Sequence, residues 1–216
     1  IYDHIKETAP RSCAVIGAGF IGLEMAENLA ERGVHVTVVE GASHVMPPID
    51  MDMAHQVHNY IRAQGIDLYL GQTCTAMDKD GVILKDGRKI PADMVILSIG
   101  VRPDTGFLKD SGIELGARGE ILVNSYMETS APDVYALGDA ASVRHIVSGK
   151  QVLIPLASPA NKQGRIVGDN LCGRKTAYRG SQGTSIMKFF GLTVAVTGEK
   201  EENLQAQGRA FCKVIT

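Results

Sequence analysis

The sequence lacks tryptophan, is poor in other aromatic residues and has no long hydrophobic run. Aromatic residues make up 5% of its 216 residues. Its apolar runs are about as long as a strand, whereas a helix that crosses a membrane needs about 20 apolar residues. The charged-then-apolar pattern of a signal peptide is also missing from its start. We therefore expect no association with a membrane.

Neither sign of charge dominates the sequence. Lysine and arginine total 22, aspartate and glutamate total 24, and the formal net charge is −2. No lysine-rich or arginine-rich run is present, although a nucleic-acid-binding protein is expected to carry a basic patch. The composition, 44% hydrophobic and 21% charged, is that of an ordinary globular protein. We predict that nucleic acid is not a partner.

The cysteines form no recognisable motif. None of the four belongs to a CxxC pair or to a spacing typical of metal ligands. They are Cys13, Cys74, Cys172 and Cys212. We expect plain thiols in a reducing compartment, which favours a cytoplasmic protein, and we expect no metal site.

Three histidines are weighed as ligands. His55 and His58 are three residues apart in a predicted helix and could form half of a metal site. Because no third ligand stands at a recognisable spacing, we interpret them as surface or partly buried histidines. His145 lies in a predicted loop, where it could reach a cofactor phosphate, but a solvated side chain is the more common outcome.

The chain opens with the pattern of a βαβ unit. An apolar strand over 13–16 leads into a glycine-rich turn over 17–22, a helix that ends at Gly33, and a β-branched strand over 34–39. This order predicts an α/β fold with a Rossmann-like dinucleotide-binding domain.

Further elements follow at regular intervals. Asp50 is the expected N-cap of a helix that ends at Gly65 and presents Met53, Val57 and Ile61 on one face. The other predicted elements are a strand over 66–70, a three-stranded antiparallel meander over 73–77, 82–85 and 88–90 with turns at Asp80-Gly81 and Asp86-Gly87, an apolar strand over 94–99 covered on both faces, short strands over 121–123 and 134–137, a helix capped by Ser158-Pro159 that reaches Cys172, and a hairpin over 185–189 and 192–197.

The glycine-rich turn reads Gly17-Ala18-Gly19-Phe20-Ile21-Gly22, which is G-x-G-x-x-G between a strand and a helix. In this motif the first glycine permits a tight turn and the second lets the backbone approach a pyrophosphate. The third lets helix and strand pack closely, and the helix N-terminus attracts phosphate. We predict that these residues bind a dinucleotide.

Glu40 closes the second strand and supplies a carboxylate at the expected ribose position. A carboxylate there can accept hydrogen bonds from both ribose hydroxyls and would repel a 2′-phosphate. Residues 41–44 contain no arginine or lysine that could neutralise that phosphate. We therefore predict NADH in preference to NADPH.

A second site is predicted where the strand over 134–137 runs into Gly138-Asp139-Ala140. Ligands bind at the carboxyl ends of such strands, so Asp139 could accept a hydrogen bond from a ligand hydroxyl. The alternative, equally supported by the residues alone, is that Asp139 N-caps a following helix.

These motifs, taken in order, resemble the pyridine nucleotide-disulfide oxidoreductase family of flavoproteins. Within it, the chain is most similar to coenzyme A-disulfide reductases, NADH oxidases and persulfide reductases. The residues that carry the resemblance are 17–24, 98–103, 129–140 and 155–165. The likeness covers essentially the whole chain.

The resemblance implies a domain order. It assigns 1–100 to an NAD-binding domain, 101–175 to the returning part of a discontinuous FAD-binding domain, and 176–216 to the start of a truncated α+β dimerisation domain. It implies FAD as second cofactor, a homodimer, and cofactor contacts at Gly100, Gly138, Asp139 and Ala140, of which Asp139 matches the residue that bonds the ribitol of FAD.

Three charged residues have two interpretations each. Glu24 matches a residue near the nicotinamide and flavin, or is a first-turn acid favoured by the helix dipole. Lys162 and Arg165 match a helix close to the flavin or the partner subunit, or form a solvated basic face. No residue of this chain is predicted to be the catalytic nucleophile, because the family's redox cysteine and first FAD motif would precede Ile1.

The implied reaction of the whole protein is hydride transfer from NADH to FAD, and then to a disulfide, a persulfide or oxygen. One alternative is a stand-alone binding module that holds a nicotinamide dinucleotide without chemistry. Another is a simple NAD-dependent dehydrogenase, for which the sequence offers no convincing Tyr-Lys or His-carboxylate set. If half of an FAD domain is missing, apolar strand edges near Ile121 and Val134 should favour self-association.

Overall fold

A computed structural model describes residues 1–215, which pack as two compact units. The first unit contains Ile1–Gly100 together with Met187–Val194. The second contains Val101–Ile186 together with residues 195–215. The predicted domain boundaries at residues 100 and 175 stay predictions.

A parallel sheet forms the centre of the first unit. Its strands are β1 (Ser12–Ile16), β2 (His35–Glu40), β3 (Asp67–Leu70) and β7 (Met94–Leu97), in the spatial order β3-β2-β1-β7. In register, Val15 of β1 lies between Val38 of β2 and Ile96 of β7. The predicted Rossmann-like arrangement of parallel strands is therefore confirmed.

Helices connect these strands as the periodicity predicted. The helices of the first unit are α1 (Tyr2–Thr8), α2 (Phe20–Ala30), which links β1 to β2, and α3 (Met51–Ala63), which links β2 to β3. The buried residues of α2 include Leu23, Ala26 and Leu29, at helical spacing. Gly33 has a φ of +79°, which favours glycine in the turn that follows α2.

The predicted antiparallel meander is also present. It consists of β4 (Cys74–Asp78), β5 (Gly81–Leu84) and β6 (Lys89–Pro91). Val82, Leu84 and Ile90 of the meander form one core cluster with Ala14 and Ile16 of β1. Because side chains alternate along a strand, Cys13 and Val15 point to the opposite face of the sheet.

The second unit contains a mixed sheet, one long helix and the ends of a hairpin. Its strands β8 (Ile121–Leu122), β9 (Ala141–Arg144) and β10 (Gln151–Leu153) lie in the order β10-β9-β8. Its helices are α4 (Ala157–Leu171) and α5 (Glu201–Ala206). The predicted hairpin forms from β11 (Ser185–Phe189) and β12 (Leu192–Val196), whose tip belongs to the first unit. The predicted third segment also contained residue 216, which lies outside the described residues.

One predicted strand is wrong. Residues 134–137 pair with a neighbour only through an isolated bridge between Glu128 and Tyr135. The backbone groups of Val134 are used locally, since its N–H donates to Ala131 and its carbonyl accepts from the N–H and hydroxyl of Thr129. Local bonds of this kind compete with a strand ladder. The predicted helix after Asp139 is wrong too, because a single 3-10 turn over Gly138–Ala140 leads directly into β9.

Several boundaries shift for identifiable reasons. β7 ends at Leu97, two residues before the predicted end, and Leu97 and Ile99 are exposed rather than covered on both faces. The first meander turn is formed by residues 79 and 80, and Gly81 already begins β5. Ser158 and Pro159 lie within the first turn of α4 rather than capping it, where proline is tolerated.

The buried face of α3 is rotated from the one predicted. Met53 is exposed, and Ala54 and His58 join Val57 and Ile61 inside. Asp50 precedes α3 as expected, but its side chain makes no capping hydrogen bond. No helix within residues 1–215 is long and apolar enough to span a membrane.

We expect Leu84→Ala to lower the free energy of unfolding by about 2–5 kcal/mol, because it removes a side chain from the cluster between meander and parallel sheet. Leu97→Ala is the matched control, since Leu97 is 56% exposed, and should change stability by less than about 1 kcal/mol. Urea denaturation of both variants measures the difference. Equal losses would show that the meander does not cover the sheet in solution.

Candidate functional site

A cleft of about 490 Å³ opens at the carboxyl ends of the parallel strands in the first unit. The segments that follow β1, β2, β3 and β7 border it at this one edge of the sheet, which is where ligands bind in open α/β sheets. Its lining residues are Ile16, Gly17, Gly19, Val39, Glu40, Gly41, Pro47, Gln72, Thr73, Cys74, Ser98, Ile99 and Gly100.

The glycines of the predicted motif shape this cleft. Gly17 has a φ of +104°, and a Cβ there would collide with the carbonyl of Ser98. A Cβ on Gly22 would collide with the carbonyl of Gly17. Gly19 precedes α2, and no atom lies within 4 Å of its Cβ position, so its backbone is open to a ligand. The structure thus supplies a physical reason for all three glycines.

Ser98 is a residue of the site whose role was not predicted from the sequence. Its backbone N–H donates to the Ile16 carbonyl at 2.8 Å. Its hydroxyl is 2.9 Å from the Gly17 carbonyl and 3.0 Å from that of Ile16. Ser98 therefore fixes the start of the glycine-rich turn against the end of β7. No local pattern reveals this contact, because the residues are 81 positions apart.

Glu40 ends β2, as predicted, and borders the cleft. Its Oε2 accepts a hydrogen bond from the Ala18 N–H at 2.7 Å, and its Oε1 accepts one from the Ala42 N–H at 2.7 Å. A carboxylate offers about four lone-pair sites, so each oxygen can accept one further bond from a ligand hydroxyl. These two hydrogen bonds from the backbone hold the carboxylate of Glu40 in place, a structural role that was not predicted.

The loop between β2 and α3 closes one side of the cleft. The N–H of Met46 donates to the Ala18 carbonyl at 2.9 Å, with Met46 at a φ of +52° and fully buried. The N–H of Val45 donates to Nε2 of His58 at 3.2 Å. Burial, and then the nearby charges of Arg62, His55 and His44, lower the pKa of His58 to about 4. His58 is therefore the neutral acceptor that holds this loop at neutral pH.

The remaining predicted residues of the first unit differ in exposure. Phe20 is partly buried, whereas Ile21 is 56% exposed. Gly100 is exposed and has a φ of +102°. Glu24 is exposed in the second turn of α2, so its interpretation as a first-turn acid is wrong.

In the second unit, the predicted residues Gly138, Asp139 and Ala140 form the 3-10 turn. Gly138 donates its N–H to Oε1 of Gln163 at 2.7 Å, and Gln163 is 1% exposed. Asp139 is exposed and does not cap a helix. Gln163 belongs to a motif of the sequence, but its role as support for this turn, from 25 residues away, was not predicted.

His145 is not the solvated histidine that was expected. Its Nδ1 is 3.3 Å from Oε1 of Glu199, and both side chains are about nine-tenths buried. Its Nε2 is 3.2 Å from the carbonyl of Gln182. By contrast, Lys162 and Arg165 lie on the exposed face of α4.

The histidine pair and the cysteines show no metal site. The rings of His55 and His58 meet edge to face at 5.7 Å. Among the described residues, no group of three histidine, cysteine or acidic side chains could hold a metal ion. All four cysteines are free thiols. Burial raises the pKa of Cys13 to about 12, and the thiol of Cys74, which borders the cleft, donates to the Ala76 carbonyl.

The sequence profile of a known protein family matches most of the chain. The profile described as pyridine nucleotide-disulphide oxidoreductase matches residues 3–164. The chain belongs to this family. Its members use FAD and NAD(P)H and act on disulfides, persulfides or oxygen.

Individual relatives show the same relationship. The chain is 38% identical to an NADH oxidase of Enterococcus faecalis, over 94% of this chain and 47% of that protein. It is 45% identical to the reduced CoADR-RHD protein of Bacillus anthracis, with a TM-score of 0.94 over 96% of this chain and 38% of that chain. An engineered water-forming NADPH oxidase derived from the Lactobacillus brevis enzyme and bound to NADPH is 31% identical, with a TM-score of 0.88 over 96% of this chain and 47% of that chain.

Other relatives in the family are named coenzyme A disulfide reductase and NAD-dependent persulfide reductase. The chain spans about half the length of the curated relatives that it matches.

We expect the first unit of this family member to lose stability as the pH falls from about 6.5 to about 4. In that window the unfolded chain binds a proton at His58 and the folded chain does not, because its pKa is lowered to about 4. The stability is complete above pH 6.5 and the loss levels off below pH 4. The shift sets an upper limit of about 3 kcal/mol, and we expect about 1–2 kcal/mol, because water near the site weakens the effect.

Urea denaturation at pH 7.5 and pH 4.5 measures this loss, with His58→Gln expected to show a smaller loss than the unmodified chain. His4→Gln is the control, since His4 is exposed. If the unmodified chain and both variants lose the same stability, protonation of His58 is not coupled to folding.

Proposed function

We propose that the cleft of the first unit binds NADH and that the chain is the NADH-binding portion of a flavoprotein oxidoreductase of this family. The observation that carries the proposal is the cleft itself, where an open Gly19 backbone, a helix N-terminus and the carboxylate of Glu40 border one volume. Backbone N–H groups at the start of α2 suit a pyrophosphate, and the carboxylate suits a ribose diol. These residues fit an adenine dinucleotide.

The reaction proposed for the whole protein passes electrons from NADH through FAD to a disulfide, a persulfide or oxygen. The two cofactors would supply the hydride transfer and the passage of electrons to the acceptor. The residues of this chain would bind the cofactors and orient them. Gly17, Gly19 and Gly22 hold the turn, Glu40 positions the ribose, and Ser98 fixes the opposite wall of the cleft. We assign no catalytic nucleophile to these residues, and Glu24 remains a proposed neighbour of the nicotinamide.

We further propose that Gly138, Asp139 and Ala140 contribute to the FAD site. Their fit rests on two observations in the second unit. Asp139 presents an exposed carboxylate on a 3-10 turn, and the buried amide of Gln163 holds the turn through Gly138. A carboxylate in this position can accept a hydrogen bond from a polyol such as ribitol. A homodimer and a cytoplasmic location stay predictions.

The preference for NADH over NADPH also forms part of the proposal. Five residues are substituted in the engineered NADPH oxidase: a glycine, an aspartate eighteen positions after that glycine, the two residues that follow the aspartate, and a proline seven positions after the aspartate. Gly22, Glu40, Gly41, Ala42 and Pro47 have the same spacing here. In that protein alanine replaces the acidic residue and arginine replaces the residue that follows. This supports Glu40 as the group that disfavours a 2′-phosphate.

A second candidate function is a binding module that holds NADH without chemistry, which is favoured by the fact that the first unit alone forms the whole cleft. The visible absorption spectrum of the purified chain shows whether it holds flavin. A flavin band that bleaches on addition of NADH supports the oxidoreductase and overturns the module. A colourless chain that binds NADH limits these residues to nucleotide binding, either as the module or as the NADH-binding portion of a longer oxidoreductase, and a chain that binds neither cofactor overturns both.

We expect Gly41→Arg to tighten NADPH binding about tenfold, because a charge-assisted hydrogen bond to the 2′-phosphate contributes about 1.5–3 kcal/mol. NADH binding should change less than about threefold. The new Cβ lies 3.2 Å from the Thr73 methyl, so only a small shift of that side chain is needed. Fluorescence titration measures both dissociation constants.

Gln56→Arg is the matched control, because it adds the same charge at an exposed position of α3. It should leave the ratio of the two constants unchanged. An unmodified chain that binds NADPH more tightly than NADH would contradict the role given to Glu40.

A further inference from the structure

One side chain of the cleft has a polar atom without a partner. Gln72 borders the cleft two residues after the end of β3. Its Oε1 is buried and has no hydrogen-bond partner among residues 1–215. An unpaired buried carbonyl destabilises a folded protein, so such groups are rare and call for an explanation.

The backbone of Gln72 is held firmly. Its N–H donates to the carbonyl of Glu40 at 3.0 Å, and the N–H of Gly71 donates to the carbonyl of Ala42 at 2.9 Å. Gln72 therefore stands beside Glu40, one strand further along the sheet. The unpaired oxygen belongs to a well-anchored residue and is not a consequence of a loose loop.

Three other polar side chains that border the cleft already have hydrogen-bond partners. Both oxygens of Glu40 accept from backbone N–H groups, and the hydroxyl of Ser98 bonds the carbonyls of Ile16 and Gly17. The thiol of Cys74 donates to the Ala76 carbonyl. Among the described residues that line the cleft, Gln72 is the one whose side chain has a buried acceptor with no partner.

The order of the strands indicates which part of the ligand would meet this acceptor. The glycine-rich turn follows β1, Glu40 ends β2, and Gln72 follows β3, in the spatial order β3-β2-β1. If the pyrophosphate lies at the first position and the ribose at the second, the base attached to that ribose reaches the third. Neighbouring strands are about 4.8 Å apart, which suits the width of one ribose.

We propose that Gln72 recognises the adenine ring, with its Oε1 accepting a hydrogen bond from the exocyclic amino group at C6. Glutamine is a common partner of this edge of adenine. The terminal torsion of a glutamine side chain is broad, so the carbonyl can turn toward the cleft when the donor arrives. The inference rests on the proposed binding of NADH in this cleft.

The test compares NADH with reduced nicotinamide hypoxanthine dinucleotide, which carries a carbonyl oxygen in place of the amino group. We expect the unmodified chain to bind NADH about tenfold more tightly. Gln72→Met keeps the length of the side chain but removes the amide, and should bring the two dissociation constants within about twofold. Gln72→Glu retains an acceptor and should keep the preference for adenine. Fluorescence titration measures all the constants.

A second readout separates recognition from a structural role. Removing an unpaired buried carbonyl should leave the melting temperature of Gln72→Met unchanged or higher, whereas loss of a structural contact would lower it. Gln56→Met, at an exposed position of α3, is the control for both readouts and should match the unmodified chain.

The outcomes distinguish the two proposals. If the unmodified chain binds both dinucleotides equally, or if Gln72→Met keeps the tenfold preference, the role of Gln72 is wrong while NADH binding stands. A Gln72→Met variant with a lower melting temperature also overturns it. If the unmodified chain binds neither dinucleotide, the proposed function fails together with this inference.

Discussion

The close approach of the glycine-rich turn to the end of β7 is the constraint on which the first unit depends. A side chain at Gly17 would overlap the carbonyl of Ser98, and one at Gly22 would overlap the carbonyl of Gly17. Because neither position carries a side chain, α2 can begin directly above the sheet. The hydroxyl of Ser98 then fixes the glycine-rich turn against the end of β7. The unpaired N–H groups of the first helical turn consequently lie at the sheet edge where the cleft opens.

Glu40 shows how one carboxylate meets a structural and a binding requirement together. By accepting from Ala18 on one side and Ala42 on the other, it joins the turn after β1 to the loop after β2. Met46, bonded to the Ala18 carbonyl, draws the far end of that loop inward. The acid is therefore oriented before a ligand arrives, and preorganisation of this kind reduces the entropy lost on binding. The same bonds explain why substitution of Glu40 would disturb the fold as well as specificity, whereas a Cβ on the exposed neighbour Gly41 would meet only the methyl group of Thr73.

The sequence predicts what is local and misses what is not. Local signals predicted the strands over 13–16 and 34–39 and the meander, because their apolar periodicity and turn residues involve only neighbouring positions. The strand over 134–137 failed because the backbone of Val134 bonds its own turn. The support of Gly138 by Gln163 and the burial of His145 against Glu199 join residues 25 and 54 positions apart. Periodicity carries no information about such pairs.

The polar groups of the cleft fall into two kinds, and the difference bears on how the site works. Ser98 and Glu40 already have hydrogen-bond partners, so removing either one leaves backbone groups unpaired and weakens the fold. The carbonyl of Gln72 has no partner, so it adds nothing to the stability of the free chain. Natural folds satisfy nearly all their buried polar atoms, and an exception that borders a ligand cleft is most simply retained because a ligand completes it. The residues that build this site and those that discriminate between ligands are therefore separable by their hydrogen bonds in the free protein.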